Sequence, residues 1–227
     1  DSTQEFDQVS LFKPITKAAY SVNKVERIPD AIRQAFRIAT SGKMGPVLVD
    51  IPRDVIAGTS LDIDDLSVDQ YRPNSNRTRG DRELVSSAVQ EIQQSKQPVI
   101  VAGGGVNWSL AADQVMQLAE LTGAAIVTSY GRADAVPNDH PQFLGHLGRL
   151  GAEEAISAIQ QSDLIIAAGT RLGQSTTFYD NRFIPEGAKI IQIEIDPKEL
   201  GRNYPITVGI EGDVKSVLED ILEGLQG

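Results

Sequence analysis

The sequence predicts an α/β protein whose main body is a parallel sheet with helices on both faces, preceded by a partial α/β domain. Two observations carry this. The runs PVIVA, AAIVTS, DLIIAA and AKIIQIEI are mostly apolar, as strands buried on both faces are. Segments with helical spacing separate them, and a strand–helix–strand order gives parallel neighbours joined by right-handed crossovers.

The elements follow in order. Ile28, Ile32, Ala35, Phe36 and Ala39 recur at helical spacing, Pro29 and Asp30 suit a first turn, and Gly42 stands where a left-handed cap is expected. PVLVDIP is then a short strand stopped by Pro52. From Ala57 to Arg82 the periodicity dissolves into Asn, Ser, Gly and Pro, which predicts an interdomain linker, with the acidic Asp62–Asp65 as a solvated stretch of it. Asp81 is the expected cap of a helix reaching about Lys96, with Leu84, Val85, Ala88 and Ile92 facing inward. PVIVAGGG is a strand and turn, and Ser109–Gly123 a helix, with Trp108 as a core residue at its start. AAIVTS, DLIIAAGTR and AKIIQIEIDP are strands, while GAEEAISAIQQS and DVKSVLEDILEGL are helices. The resulting divisions are 1–57, a linker over 58–80, and a Rossmann-like domain over 81–227.

Composition narrows the function classes. Hydrophobic residues are 41% and charged residues 23%, values of a soluble globular chain. A net charge of −10 argues against nucleic acid, whose binders carry a basic face. No apolar run approaches the roughly 20 residues of a membrane span, so no membrane partner is expected. Cysteine is absent, which removes disulfide and thiolate chemistry and suits a reducing, cytoplasmic setting. The chain begins with Asp, not Met, and is expected to be processed or part of something longer.

In an open parallel sheet, ligands bind beyond the carboxyl ends of the strands. The expected ends carry Gly103, Gly104 and Gly105; Thr128 and Ser129; Gly169, Thr170 and Arg171; and Glu194, Ile195 and Asp196. Glycines let backbone N–H groups approach a phosphate, an arginine pairs with one, and a carboxylate accepts ribose hydroxyls. The same residues have plainer uses: glycines for tight turns, Arg171 in an ion pair, Asp196 as a helix cap. His140 in a proline-rich turn reads as structural, and His146 in a glycine-rich loop reads either way. The residues display no Ser/His/Asp order, carboxylate pair or metal cluster, and no catalytic residue is assigned.

Several segments together resemble the thiamine diphosphate-dependent enzymes of the acetolactate synthase type. QEFDQVSLFKPITKAAYSV is similar to the late part of that family's pyrimidine-binding domain, and GPVLVDIPRDV to its final strand. PVIVAGGGV, GRADAVPNDHPQFLGHLGRLG, SDLIIAAGTRLGQSTT, AKIIQIEIDPKELGRN and GIEGDVKSVL then follow in the order of the central domain. The resemblance implies a middle piece of a three-domain enzyme. The cofactor-activating glutamate would precede Asp1 and the Mg²⁺–diphosphate motif would follow Gly227, so the chain alone is expected to be inactive. The parent would use thiamine diphosphate and Mg²⁺ to transfer a two-carbon unit from a 2-oxo acid. Its partners would be the remaining domains and further copies in a homo-oligomer.

For the central domain the resemblance implies FAD, an ADP-type or CoA nucleotide, or no ligand at all, since relatives differ. Gly103, Gly104 and Gly105 match glycines that approach such a nucleotide, and Gly169 and Arg171 match a G-x-R element whose arginine meets it. Glu194 lies at the ribose, Asp213 near the adenine, His146 in a loop beside the flavin, and Lys13 where flavin-binding members have an arginine. One departure weighs against FAD. Flavin-binding members read G-x-R-F-D-D-R, whereas here Leu172, Gly173, Gln174 and Ser175 follow Arg171. A flavin-free relative such as sulfoacetaldehyde acetyltransferase, or a non-catalytic nucleotide-binding module, is the alternative.

Overall fold

The computed structural model describes residues 6–59 and 77–227. It divides into two compact units, Asp1–Ser75 and Asn76–Gly227. Asp62–Asp65 and most of the expected linker lie outside the described residues.

The first unit holds α1 (Gln8–Phe12), β1 (Ala18–Ser21), α2 (Ile28–Thr40), β2 (Val47–Asp50) and α3 (Arg53–Ile56). Strands β1 and β2 pair in parallel, Ala18 opposite Val47 through Ser21 opposite Asp50, with α2 as the crossover. Gly42 has φ +52°, the left-handed turn expected after α2. Tyr20 ties strand to helix by donating to the Ala31 carbonyl at 2.7 Å. Strand β1 has no long apolar run, and periodicity alone does not predict it.

The second unit runs α4 (Arg82–Gln94), β3 (Pro98–Ala102), α5 (Gly104–Ser109), α6 (Ala112–Thr122), β4 (Ala125–Thr128), β5 (Phe143–His146), α7 (Glu153–Gln161), β6 (Leu164–Ala168), α8 (Gln174–Thr177), β7 (Lys189–Glu194), β8 (Val208–Glu211) and α9 (Val214–Gln226). The sheet order is β5-β4-β3-β6-β7-β8, all parallel, as the apolar runs predict. Alternate strand residues feed two cores. Ile100, Ile126, Ile166, Ile191 and Ile210 pack with α4, α5, α6 and α9 on one face. Val99, Val101, Val127, Ile165 and Ile190 pack with α7 and with Leu172, Phe183 and Ile184 on the other. Both faces of the sheet are therefore covered, which is why its inner strands are mostly apolar, the buried Gln192 of β7 being held by donation to the Thr170 and Glu199 carbonyls at 3.2 Å.

Asp81 caps α4 as expected, its carboxylate accepting from the N–H of Glu83 at 2.9 Å and of Leu84 at 3.2 Å. Three expectations need correcting. Leu84 is 39% exposed, because the apolar stripe of α4 runs through Val89 in its place. The helix expected over Ser109–Gly123 is α6, which starts only at Ala112, because a separate helix α5 ends at Ser109 and Leu110 turns left-handed at φ +55°. Trp108 is 64% exposed, because α5 turns it outward from the core its neighbours Val106 and Ser109 enter.

Candidate functional site

The parallel order brings every carboxyl strand end of the second unit to one edge. From β3 the chain adds β4 and β5 on one side. From β6 it adds β7 and β8 on the other. The direction of winding therefore reverses between β3 and β6, where an open α/β sheet forms its ligand crevice.

At that point three expected glycines meet. The N–H of Gly103 donates to the Ala168 carbonyl and that of Gly105 to the Gly169 carbonyl, each at 2.9 Å. Gly169 has φ +62°, and a Cβ there would stand 2.5 Å from the Gly105 Cα. A Cβ on Gly105 would stand 2.6 Å from the Gly169 Cα, and one on Gly103 would strike the Gly169 carbonyl oxygen. These glycines have an internal reason to lack side chains: the two central strand ends pack backbone on backbone. Their two N–H groups are already donated, which leaves Gly104 as the glycine on the open side. A Cβ there would meet the Arg132 Nε at 3.1 Å.

Side chains form the rim. Arg171 is more than half exposed, and its Nη1 lies 3.6 Å from Oε1 of Glu199, a carboxylate only 6% exposed that also pairs with Arg202 at 2.9 Å. Glu194 is buried at the end of β7, its Oε1 accepting from the Ile195 N–H at 3.0 Å. Asp196 caps the turn Pro197–Glu199 through the Lys198 N–H at 3.2 Å. Asp213 caps α9 through the Ser216 N–H at 3.3 Å and meets Nη1 of Arg77 at 3.0 Å from both carboxylate oxygens. Ser129 donates to the Thr170 hydroxyl at 2.8 Å, joining the β4 and β6 ends. Thr128 is fully buried, and among the described residues its hydroxyl has no hydrogen-bonding partner.

His146 ends the edge strand β5. Its Nδ1 lies 3.1 Å from the Leu147 carbonyl, and its ring meets Tyr130 edge-on at 6.5 Å. The Tyr130 N–H in turn donates to the Thr176 hydroxyl at 3.3 Å. His140 is held structurally, its Nδ1 accepting from the Gln142 N–H at 3.3 Å, with Nε2 3.4 Å from Glu120. Lys13 belongs to the first unit, where it is exposed and opens the turn Lys13–Ile15.

Sequence reading missed two residues here. Arg132 leaves the turn after β4, and its position four residues beyond that strand's end was the available signal. Arg77 was absorbed into the linker, where nothing in the local pattern distinguishes it from its neighbours.

The arrangement supplies recognition instead of bond-making. Arg132 and Arg171 suit phosphate, and Glu194 and Asp213 suit hydroxyl or amino donors. These groups are side chains, whereas the Gly103 and Gly105 N–H groups are already donated within the sheet ends. Among the described residues no group of three or more His, Cys, Asp or Glu side chains is placed to hold a metal ion. The residues present do not fit a Mg²⁺–diphosphate centre, and no chemical step is assigned to them.

Comparison with known proteins agrees with this architecture. Residues 85–221 match the family described as thiamine pyrophosphate enzyme, central domain. The probable acetolactate synthase large subunit of Methanocaldococcus jannaschii is 39% identical over 231 residues, covering 99% of this chain and 38% of the relative. The acetolactate synthase of Mycobacterium bovis is 40% identical over 228 residues, covering 100% and 36%. Among solved structures, benzoylformate decarboxylase from Polynucleobacter necessarius superposes with a TM-score of 0.76 at 26% identity, over 95% of this chain and 39% of that one. A Mycobacterium smegmatis protein described as a thiamin diphosphate-dependent enzyme also gives 0.76, at 29% identity, over 96% and 41%. The chain therefore spans about two-fifths of the length of these relatives. A covered parallel sheet and a family match across most of it lead to one conclusion: the chain belongs to the thiamine pyrophosphate enzyme family, whose central domain it contains.

Proposed function

We propose that this polypeptide is the central scaffold, with the tail of the pyrimidine-binding domain, of an acetolactate synthase-type enzyme. That enzyme transfers a two-carbon unit from a 2-oxo acid. The supporting observation is similarity to acetolactate synthases along essentially the whole chain, 39% and 40% identical over 99% and 100% of it. When bound, thiamine diphosphate with Mg²⁺ supplies the carbanion-stabilising chemistry, on residues outside these 227. The test is to assay the complete gene product, and the 227-residue chain beside it, with pyruvate, thiamine diphosphate and Mg²⁺. Acetolactate from the former alone is expected. Product from the 227-residue chain by itself would overturn the scaffold role, and a complete protein that leaves pyruvate untouched would overturn the acetolactate synthase assignment.

Within this reading the edge beyond β3 and β6 holds an adenine nucleotide. Arg171 and Arg132 face its phosphates beside Gly104, and Glu194 lies at the ribose. Asp213 lies at the adenine, while Gly103, Gly105 and Gly169 hold the floor. His146 lies to one side. ADP is favoured over FAD because the chain after Arg171 turns inward. Leu172 is buried at φ +48°, and no second arginine or aspartate pair follows it. Calorimetric titration with ADP, FAD and CoA tests this. Micromolar binding with ADP at least as tight as FAD is expected; no binding of any of the three at millimolar concentration would reject the site.

A further inference from the structure

The stretch that leads into α4 is docked, not free. The Asp213 N–H donates to the Thr78 carbonyl at 2.8 Å. Arg79 pairs with Asp220 and lies 3.8 Å from Glu219. Gly80 is pressed so closely on Ile210 that a Cβ would collide with its side chain. Arg77 completes this strap. Its Nη1 reaches both Asp213 oxygens at 3.0 Å and the Ser109 carbonyl, at the end of α5, at 2.6 Å. The Asp213 side chain beneath it is only 18% exposed, while that of Arg77 is 40% exposed.

We infer that Arg77 is a built-in occupant of the adenine end of the nucleotide site, displaced when a nucleotide binds. This rests on the nucleotide reading above and adds its regulation. The carboxylate of Asp213 only accepts hydrogen bonds, and its Ser216 contact is part of the α9 cap. The adenine amino group is a donor, and so is Arg77 Nη1. Both seek the same two oxygens, and the guanidinium already covers them. A ligand that needs Asp213 therefore frees Arg77 and the Ser109 carbonyl. By linkage, whatever holds the strap down weakens that ligand by the same factor. The strap is thereby a latch between the nucleotide edge and the chain that enters the domain.

The test is calorimetric titration of ADP and of purine riboside 5′-diphosphate into the 227-residue chain and into its Arg77→Met and Arg77→Lys variants. Purine riboside diphosphate carries hydrogen where adenine carries the amino group, has no N–H on its base, and gains nothing from a freed carboxylate. Arg77→Met is expected to tighten ADP about tenfold, within the usual range of intramolecular coupling, and to leave purine riboside diphosphate unchanged. Loss of a positive charge would on its own weaken an anionic ligand, so a gain cannot be a charge effect. Arg77→Lys keeps the charge with a shorter reach; an intermediate ADP gain is expected, and it decides the matter if the methionine variant does not fold. Unchanged ADP affinity in the folded variants, or an equal gain for both nucleotides, overturns the latch while leaving the site standing. Failure of every chain to bind ADP overturns the site and the latch together.

Discussion

Gly169 and Gly123 are both left-handed, at φ +62° and φ +72°, yet they differ in surroundings. A Cβ on Gly169 meets Gly105 backbone, and one on Gly123 meets nothing within 4 Å. Gly123→Ala is expected to cost about 1 kcal/mol, the conformational penalty alone. Gly169→Ala adds a backbone collision and is expected to cost about 2–5 kcal/mol, summing strain and overpacking. Urea midpoints of the two variants at constant slope check this; equal losses would show that the strand ends part easily. Asp163 offers a second test. Its carboxylate accepts from the Ser95 hydroxyl and from the N–H groups of Lys96 and Gln97, the latter two at 2.7 and 3.1 Å. Desolvation pushes this carboxyl up, but the hydrogen bonds outweigh it and hold the group below its ordinary value. Its stabilisation is then complete above about pH 4 and is lost as pH falls through the folded-state value. Asp163→Asn turns an amide NH₂ toward an N–H donor. It is expected to lower stability at pH 7 by up to about 1 kcal/mol and to flatten the fall in stability below about pH 4. Thermal melts across that range read both effects.

At the scale of elements, what the sequence revealed depended on how each strand is buried. Strands β3, β6 and β7 lie inside the sheet; the unbroken apolar runs of β3 and β6, and the isoleucines around Gln192 in β7, announce them. Strands β5 and β8 are the two edges, and neither has such a run. FLGH contains Gly145 at φ +101°, and VGIE has a glycine second and a charge at its end. An edge strand pairs on one side and is partly exposed, so selection for apolarity is weak and the signal fades. Helix α5 was hidden for another reason. Its opening glycines disfavour helix, and it forms because Gly105 must close on Gly169. The loop after β6 shows the same tertiary control, with Phe178 and Tyr179 left-handed at φ +48° and +56°. Thr177 anchors it. Its buried hydroxyl donates to the Leu172 carbonyl at 3.2 Å and accepts from the Tyr204 hydroxyl at 2.8 Å. Tyr204→Phe is expected to cost about 1 kcal/mol and to speed amide exchange around Phe178 and Tyr179. Exchange unchanged in that loop would place its restraint elsewhere.

At the scale of the whole molecule, the second unit closes both of its cores with its own helices. A chain of residues 76–227 is therefore expected to fold alone, with one cooperative thermal transition. A chain of residues 1–59 is expected not to, since one parallel strand pair with a single crossover helix buries too little. Circular dichroism of the two pieces decides; a folded short piece and an unfolded long one would reverse the account. The candidate site was half readable at this scale. Its strand-end positions followed from the expected topology, whereas the pairing of Arg171 with Glu199 and of Asp213 with Arg77 joins residues 28 and 136 positions apart, which no local pattern reports.

The backbone contact of Gly103 and Gly105 with Gly169 also has a meaning for how such a domain changes over time. Three residues without side chains make a floor that no visitor shapes and that shapes no visitor. Under the nucleotide proposal, discrimination among visitors then rests on the surrounding arginines and acids alone, and substitutions on the rim would retune it while the floor stays the same.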